Sequence, residues 1–262
     1  MSTKRIFTIL LFVIMLGAGG YYYTVTKKAT STGTPLVATT TANTISAREL
    51  TDSVRSGISY TTGGSGSATS VPVPPVNIFN RPVSAKADIV ARIAILSDEL
   101  KKSPNTLDSW VELGVYYKAA KDYEGARLAW EYVSTIRPGN TTSYTNLGDL
   151  YAYSLKDFPK AEVALKTVIA NDPRFIDGYV RLHNLYALSY KTDTTLAVDI
   201  LKEGMVKNSN DVLLPLTLGD YYKTKGSVDL ARGAYQKALA LAQKGGDQAQ
   251  VQEITGVINM LK

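Results

Sequence analysis

One spaced pattern recurs four times between about residues 107 and 240, and it restricts the folds that this chain can adopt. The first copy consists of Trp110, Leu113, Gly114 and Tyr117. The leucines of the four copies are Leu113, Leu147, Leu182 and Leu218, at intervals of 34, 35 and 36 residues. A period of this length is typical of arrays in which one supersecondary unit stacks on the next.

A second set of matching residues follows each copy of the pattern. These are the alanines Ala126, Ala161, Ala197 and Ala231, at intervals of 35, 36 and 34 residues. The extra residues of the second and third copies therefore lie between the tyrosine and the alanine. Because turns tolerate insertions best, we expect the turn between two helices at this place.

Each half of the unit has the spacing of an amphipathic helix. Trp110, Leu113, Gly114 and Tyr117 lie at i, i+3, i+4 and i+7, which is one face of a helix with 3.6 residues per turn. The small residues Gly114 and Ala126 would let the two helices of a hairpin approach closely. Prolines such as Pro138 and Pro173 end the second helices, because proline cannot donate the next backbone hydrogen bond.

The pattern resembles the tetratricopeptide repeat, a helix–turn–helix unit of about 34 residues. The resemblance implies an all-α fold, a right-handed α-solenoid of about four hairpins within residues 83–262. We expect the repeats at about 107–140, 141–175, 176–211 and 212–245. Amphipathic segments at about 85–102 and 247–261 are expected to be capping helices.

The first 28 residues predict a membrane-spanning signal-anchor. Lys4 and Arg5 precede the uncharged stretch 6–23, which is just long enough to cross a bilayer as a helix. Three positive charges before this stretch and two after it favour a cytoplasmic N-terminus with the repeats on the other side. The alternative is a signal peptide that is cleaved near Ala18–Gly20, which would give a secreted protein.

Residues 29–82 are rich in Ser, Thr, Gly and Pro, which predicts a disordered linker. Within it, the segment 44–59 carries apolar residues at helical spacing, namely Ile45, Leu50, Val54 and Ile58. Two interpretations remain open for this segment. It is either a local fluctuation of the tether, or a docking peptide or membrane-surface helix.

The distribution of charge argues against a nucleic-acid partner. The net charge of the chain is +6, but four of the positive charges flank the predicted span. The repeat region itself is close to neutral and lacks the basic surface that a duplex binder needs.

No motif for catalysis or for a cofactor stands out. The chain has no cysteine and one histidine, His183, so metal-ligand spacing is missing. There is no phosphate-binding loop and no recognisable nucleophile–base arrangement. We therefore expect no enzyme activity, no cofactor and no metal. His183 takes the place of Gly114, and we expect an imidazole tolerated at a wider helix contact, with a functional role as the alternative.

The resemblance also implies a binding surface, because the first helices of such arrays line a concave groove. Carried onto this chain, the groove residues are Val111, Val115, Lys118, Thr145, Asp149, Tyr153, Val180, Asn184, Leu188, Leu216, Asp220 and Lys223. Some family members bind a peptide carboxylate with lysine and asparagine at two of these places. This chain has Val111 and Val115 there, so that clamp is missing. The mixed groove predicts an extended or helical peptide with apolar anchors and a basic residue.

Together these features predict a membrane-tethered adaptor that binds a protein or peptide partner without transforming it. The alternative is a structural part of the cell envelope, which self-associates or binds glycan. The sequence leaves the partner and the oligomeric state open.

Overall fold

The computed structural model describes residues 72–261, and within this range the regular structure is entirely helical. It contains ten α-helices and no strand there, which confirms the predicted all-α class. The helices are α1 (Ala87–Lys102), α2 (Leu107–Ala119), α3 (Tyr123–Ile136), α4 (Thr141–Asp149), α5 (Phe158–Asn171), α6 (Ile176–Leu188), α7 (Leu196–Lys207), α8 (Leu213–Thr224), α9 (Val228–Gly245) and α10 (Gln248–Asn259).

The helices pack in chain order as four hairpins, α2/α3, α4/α5, α6/α7 and α8/α9. The first helix of each hairpin also packs on the second helix of the hairpin before it. Helix α1 packs against α2 at one end, and α10 packs against α9 at the other. Each hairpin thus buries its apolar face between its neighbours, as in a solenoid. The right hand of the superhelix stays a prediction.

The signature glycines make room for a large side chain on the second helix. A Cβ added to Gly114 would overlap the indole of Trp130. The same substitution at Gly148 would meet Leu165 at 2.6 Å. We expected the glycine to face the small residue Ala126. It instead faces Trp130, which is four residues, or one helical turn, after Ala126.

The turn inside each hairpin uses one residue in the left-handed conformation. These residues are Lys121, Lys156, Lys191 and Gly226, with φ of 61°, 58°, 59° and 72°, at equal intervals of 35. A left-handed residue commonly ends a helix, but it is usually a glycine. Because three of the four are lysines, residue type did not reveal this recurring turn.

The extra residue of the second hairpin does not lie in the turn, so that expectation is wrong there. Leu150–Leu155 form a π-helical turn that continues α4, and the extra residue widens the helix. The amide of Asp157 donates to the carbonyl of Tyr151 at 2.9 Å, six residues earlier in the chain. In the first hairpin, the corresponding bond joins Asp122 to Tyr117, five residues earlier. In the third hairpin the added residues do lie between the two helices, as expected.

The last part of the predicted linker is ordered against the first hairpin, and we call residues 72–82 the N-terminal arm. Ile78 is 1% exposed and belongs to the core. The Tyr117 hydroxyl donates to the Ile78 carbonyl, and the Tyr132 hydroxyl donates to the Pro72 carbonyl at 2.7 Å. For residues 72–82 the prediction of a disordered linker is therefore wrong.

The arm is also held by charge. Arg81 donates from Nε and Nη2 to the two carboxylate oxygens of Asp122, at 2.5 and 2.6 Å. Such two-point pairing has a defined geometry as well as a favourable energy. The proline- and valine-rich composition of this segment gave no sign that Ile78 would pack in the core or that Arg81 would pair with Asp122.

The predicted localisation, a single-pass membrane protein with the repeats outside the cytoplasm, needs correction. Among residues 72–261, no helix combines the length and the apolar character that a bilayer crossing requires. The segment on which the prediction was based, residues 6–23, lies outside the described residues, as do the proposed cleavage site and most of the linker. We therefore do not propose a membrane localisation.

Two glycines of the fourth hairpin give a matched test of the packing. A Cβ at Gly219 would lie 2.6 Å from the ring of Tyr235, whereas a Cβ at Gly233 would meet nothing within 4 Å. We expect Gly219→Ala to lower the free energy of unfolding by about 1–3 kcal/mol through overpacking. Gly233→Ala should raise it by up to about 1 kcal/mol, since alanine favours helix. Urea unfolding measures both, and equal effects would contradict this packing.

The N-terminal arm gives a second test. Ile78→Ala removes a core side chain and should lower the free energy of unfolding by about 2–4 kcal/mol. Val76→Ala changes an exposed side chain of the same arm and should have almost no effect. If Ile78→Ala is as neutral as Val76→Ala in thermal and urea unfolding, the arm does not pack as described.

Candidate functional site

The candidate surface lies on the first helices of the four hairpins, and we call its twelve predicted residues the inner-wall residues. None of the twelve is buried. Val115, Tyr153, Leu188 and Lys223 are exposed. Partly exposed are Val111, Lys118, Thr145, Asp149, Val180, Asn184, Leu216 and Asp220. All are therefore at least partly accessible to a ligand, although Val111, Val180 and Leu216 also pack against the core. The role of the twelve residues in binding stays a prediction.

Three of these residues expose large apolar side chains. Val115 is 48% exposed, Tyr153 is 53% exposed and Leu188 is 74% exposed. They come from three consecutive hairpins, and Tyr153 and Leu188 occupy equivalent places, 35 residues apart. Apolar groups in contact with water gain free energy when a partner covers them. These side chains are therefore the best anchors that this surface offers.

Side-chain contacts join successive first helices. Arg181 of α6 pairs with Asp149 of α4, and within its own helix it pairs with Asp177 at 2.6 Å. The rings of His183 in α6 and Tyr221 in α8 lie 5.3 Å apart, edge to face at 82°. These contacts hold three of the first helices in one arrangement.

The same kind of contact joins α1 to the first hairpin. Arg92 donates from Nε and Nη2 to the two carboxylate oxygens of Glu112, at 2.8 Å each. This pair lies at the surface, so its contribution to stability is small. Its effect is to orient α1 beside α2.

Both acidic inner-wall residues already have partners within the chain. Asp149 pairs with Arg181, and Asp220 accepts a hydrogen bond from the Tyr235 hydroxyl at 2.7 Å. We expected a basic residue in the ligand because these carboxylates could have bound it. Since both are already bonded within the chain, they no longer support that expectation. Sequence reasoning missed Arg181, although its place four residues after Asp177 is a common spacing for a helical ion pair.

His183 is buried and serves the hairpin contact. Its Nδ1 lies 2.7 Å from the Ala197 carbonyl and donates to it. Leu201 stands where the other hairpins have Trp130, Leu165 and Tyr235. Burial lowers the pKa of His183, and the bond to Ala197 opposes this only in part. These observations favour a structural role for the neutral ring.

Buried tyrosines join the second and third hairpins to the hairpin before each of them. The Tyr151 hydroxyl donates to Glu131 at 2.6 Å, and the Tyr186 hydroxyl donates to Glu162 at 2.7 Å. Lys191 also donates to Glu162 at 2.7 Å.

The environment of Glu162 keeps this carboxylate ionised. Burial alone would raise its pKa, but hydrogen bonds from Lys166, Lys191 and Tyr186 outweigh burial and lower the pKa to about 2. The sequence predicted the tyrosine positions but not these two glutamates, because an acidic residue in a second helix has no distinctive spacing.

Within the described part of the chain, no group of three His, Cys, Asp or Glu side chains could hold a metal ion. The inner wall consists of aliphatic, aromatic, amide and hydroxyl groups with a few charges. Such a surface can bind a polypeptide by apolar burial and by hydrogen bonds.

No protein-family model matches the chain, and no curated protein matches it either. Several solved structures share the arrangement of stacked helical hairpins. The crystal structure of MamA is 22% identical, with a TM-score of 0.48, over 62% of this chain and 92% of that one. TTC0263, a thermophilic TPR protein from Thermus thermophilus, is 19% identical, with a TM-score of 0.44, over 66% and 93%.

A third structure is YrrB, described as a TPR protein with an unusual peptide-binding site. It is 13% identical, with a TM-score of 0.41, over 61% of this chain and 88% of that one. Such distant similarities concern the fold alone. The predicted resemblance to tetratricopeptide repeats is supported by the four stacked helical hairpins of the described residues.

The single histidine permits a direct test of its burial. Because the folded state lowers the pKa of His183, the unfolded state binds protons first as the pH falls. The free energy of unfolding should therefore decline as the pH drops below about 6.5, the ordinary histidine value. We expect His183→Gln to flatten this decline in urea unfolding between pH 7.5 and 5. In NMR, titration of the wild-type imidazole at or above pH 6.5 would contradict the burial.

Proposed function

We propose that residues 72–261 form a scaffold that binds a peptide segment of a partner protein along the inner wall. The observation that supports this most is the exposure of Val115, Tyr153 and Leu188 on three consecutive first helices. Exposed apolar side chains that recur along one surface are typical of a protein-interaction site. Here they lie outside a core that is already complete.

The framework beneath the surface favours binding without rearrangement. Arg181 joins α4 to α6, and His183 joins α6 to α8. A surface whose parts are already in place loses less conformational entropy when a partner binds. The proposed site is therefore preorganised across its last three hairpins.

The chemistry of the inner wall defines the ligand that we propose. Apolar anchors should bind beside Val115, Tyr153 and Leu188, and an extended or helical peptide can supply them at regular spacing. Tyrosine is enriched among residues that dominate binding energy, which makes Tyr153 the central contact. Because Asp149 and Asp220 are already bonded, we do not include a basic residue as a requirement.

We propose binding rather than catalysis as the role of this surface. The twelve inner-wall side chains include no histidine or cysteine, and their only acids are Asp149 and Asp220, each bonded to a neighbour. Partner release would leave the peptide chemically unchanged.

A comparison of two triple variants tests the proposed surface. Peptides are first selected from a random library on the full-length wild-type chain. The inner variant Val115→Lys/Tyr153→Ser/Leu188→Lys should weaken their binding at least about tenfold, because it removes the apolar anchors. The outer variant Val163→Lys/Val206→Lys/Leu230→Lys changes exposed apolar residues of the second helices. It should leave the affinity unchanged.

Titration calorimetry gives both affinities, and circular dichroism checks that both variants keep their helices. Equal affinities for the two variants, or a loss confined to the outer variant, would show that peptides bind elsewhere. A library that yields no binder to the wild-type chain would oppose the proposal as a whole.

A further inference from the structure

Helix α1 has the place of a second helix, and the described residues contain no first helix before it. It ends two residues before Pro104, just as α3 and α5 end two residues before Pro138 and Pro173. The Trp110 indole donates to the Pro104 carbonyl at 2.8 Å, and the Tyr179 hydroxyl donates to the Pro173 carbonyl at 3.0 Å. The offset is six residues in both cases, so α1 and α5 occupy equivalent places.

Within residues 72–261, an apolar face of α1 is left uncovered. Ile95 is 51% exposed, although its equivalents Ala129 and Ala164 are 0% and 3% exposed. Around Ile95, the exposed residues include Ala87, Val90, Ala91 and Ala94, and the acidic residues Asp98 and Glu99 follow one turn later. Since α1 does have a following helix, α2, the difference comes from the side on which a first helix would lie.

Arg92 limits how a helix could approach this face. It stands where the other second helices carry Ala126 and Ala161, and it turns towards Glu112. A covering helix would therefore pack across Val90, Ala91 and Ile95 and not in the usual hairpin contact. The three alanines of the face permit close approach along its length.

We propose that residues 44–59 of the same chain cover this face of α1 as an amphipathic helix. This segment lies outside the described residues, and its sequence supplies the motivating pattern. Leu50, Val54 and Ile58 recur at i, i+4 and i+8, which places them on one side of a helix. Their apolar stripe suits the exposed face of α1 in kind and in length.

Residues 44–59 are well placed to reach α1, because the described chain begins at Pro72, close to this part of the array. Pro72 is held against α3 by the hydroxyl of Tyr132, and both α1 and α3 contact the turn Ile78–Asn80 of the arm. The twelve residues 60–71 span up to about 40 Å when extended, and α1 is about 24 Å long. A segment on so short a tether has a high effective concentration at α1.

The chain has no cysteine, so paired cysteines can test the contact in the full-length protein. Thr51 lies beside the proposed stripe, and Thr51→Cys with Ile95→Cys should form a disulfide within one chain. Ser67→Cys with Ile95→Cys is the control. The described chain begins at Pro72, which is 5 residues from Ser67 and 21 residues from Thr51, so an undocked segment gives Thr51 the longer tether and the lower effective concentration.

We expect the Thr51 pair to close at least threefold faster than the Ser67 pair under mild oxidation. Adding Leu50→Asp and Val54→Asp should remove this advantage, because the stripe becomes charged. Adding Ser56→Asp and Ser59→Asp places the same charge on the other side of the helix and should preserve it. Circular dichroism confirms in each case that the repeat array remains folded.

Faster closure of the Ser67 pair would overturn the proposal, since the segment would then behave as an undocked tether. Disulfides that join two chains would also overturn it, because a second copy would then be the occupant. An advantage of the Thr51 pair that survives Leu50→Asp and Val54→Asp would exclude the apolar stripe as the cause.

Discussion

Burial of each hairpin between its two neighbours is the constraint on which the rest of this structure depends. A helical hairpin alone leaves one apolar face in water, and only the next hairpin removes it. The demand is met by a small residue on the first helix opposite a large one on the second, as with Gly148 and Leu165 or Gly219 and Tyr235. In the third hairpin His183 takes the place of the glycine, and Leu201 has the place that Leu165 has in the second hairpin.

Polar bonds inside this packing join hairpins that are otherwise held by apolar contact. Tyr151 and Tyr186 donate to carboxylates of the preceding hairpin, and those carboxylates are buried. A buried carboxylate without a partner would cost several kcal/mol, so the bonds are needed wherever the acid is present. They also restrict the relative position of two hairpins more sharply than apolar contact alone, because a hydrogen bond tolerates little displacement.

The sequence predicted the parts of the fold that depend on repetition. The period, the two helices of each hairpin and the accessible side of the first helices follow from residues such as Leu113, Tyr117 and Pro138. It could not predict contacts that occur only once, such as Arg81 with Asp122 or Arg181 with Asp149. The π turn at Leu150–Leu155 was also missed, because an inserted residue has no spacing that assigns it to a helix or to a turn. The exposed inner wall was predicted by analogy, whereas its internal pairing is visible only in three dimensions.

The start of the array shows how a repeat structure can end without a complete unit. In the second and third hairpins, the signature tyrosine donates to a carboxylate of the hairpin before it. Among the described residues no hairpin precedes the first one, and Tyr117 donates instead to the carbonyl of Ile78 in the N-terminal arm. A non-repetitive segment therefore satisfies a bond that the repeat would otherwise leave open, and Ile78 fills the adjoining core. Through Ile78–Asn80 the arm contacts both α1 and α3, whereas Ile95 is 51% exposed. The first hairpin is thus completed on one side by irregular chain, and the apolar surface that remains is a consequence of where the periodic sequence begins.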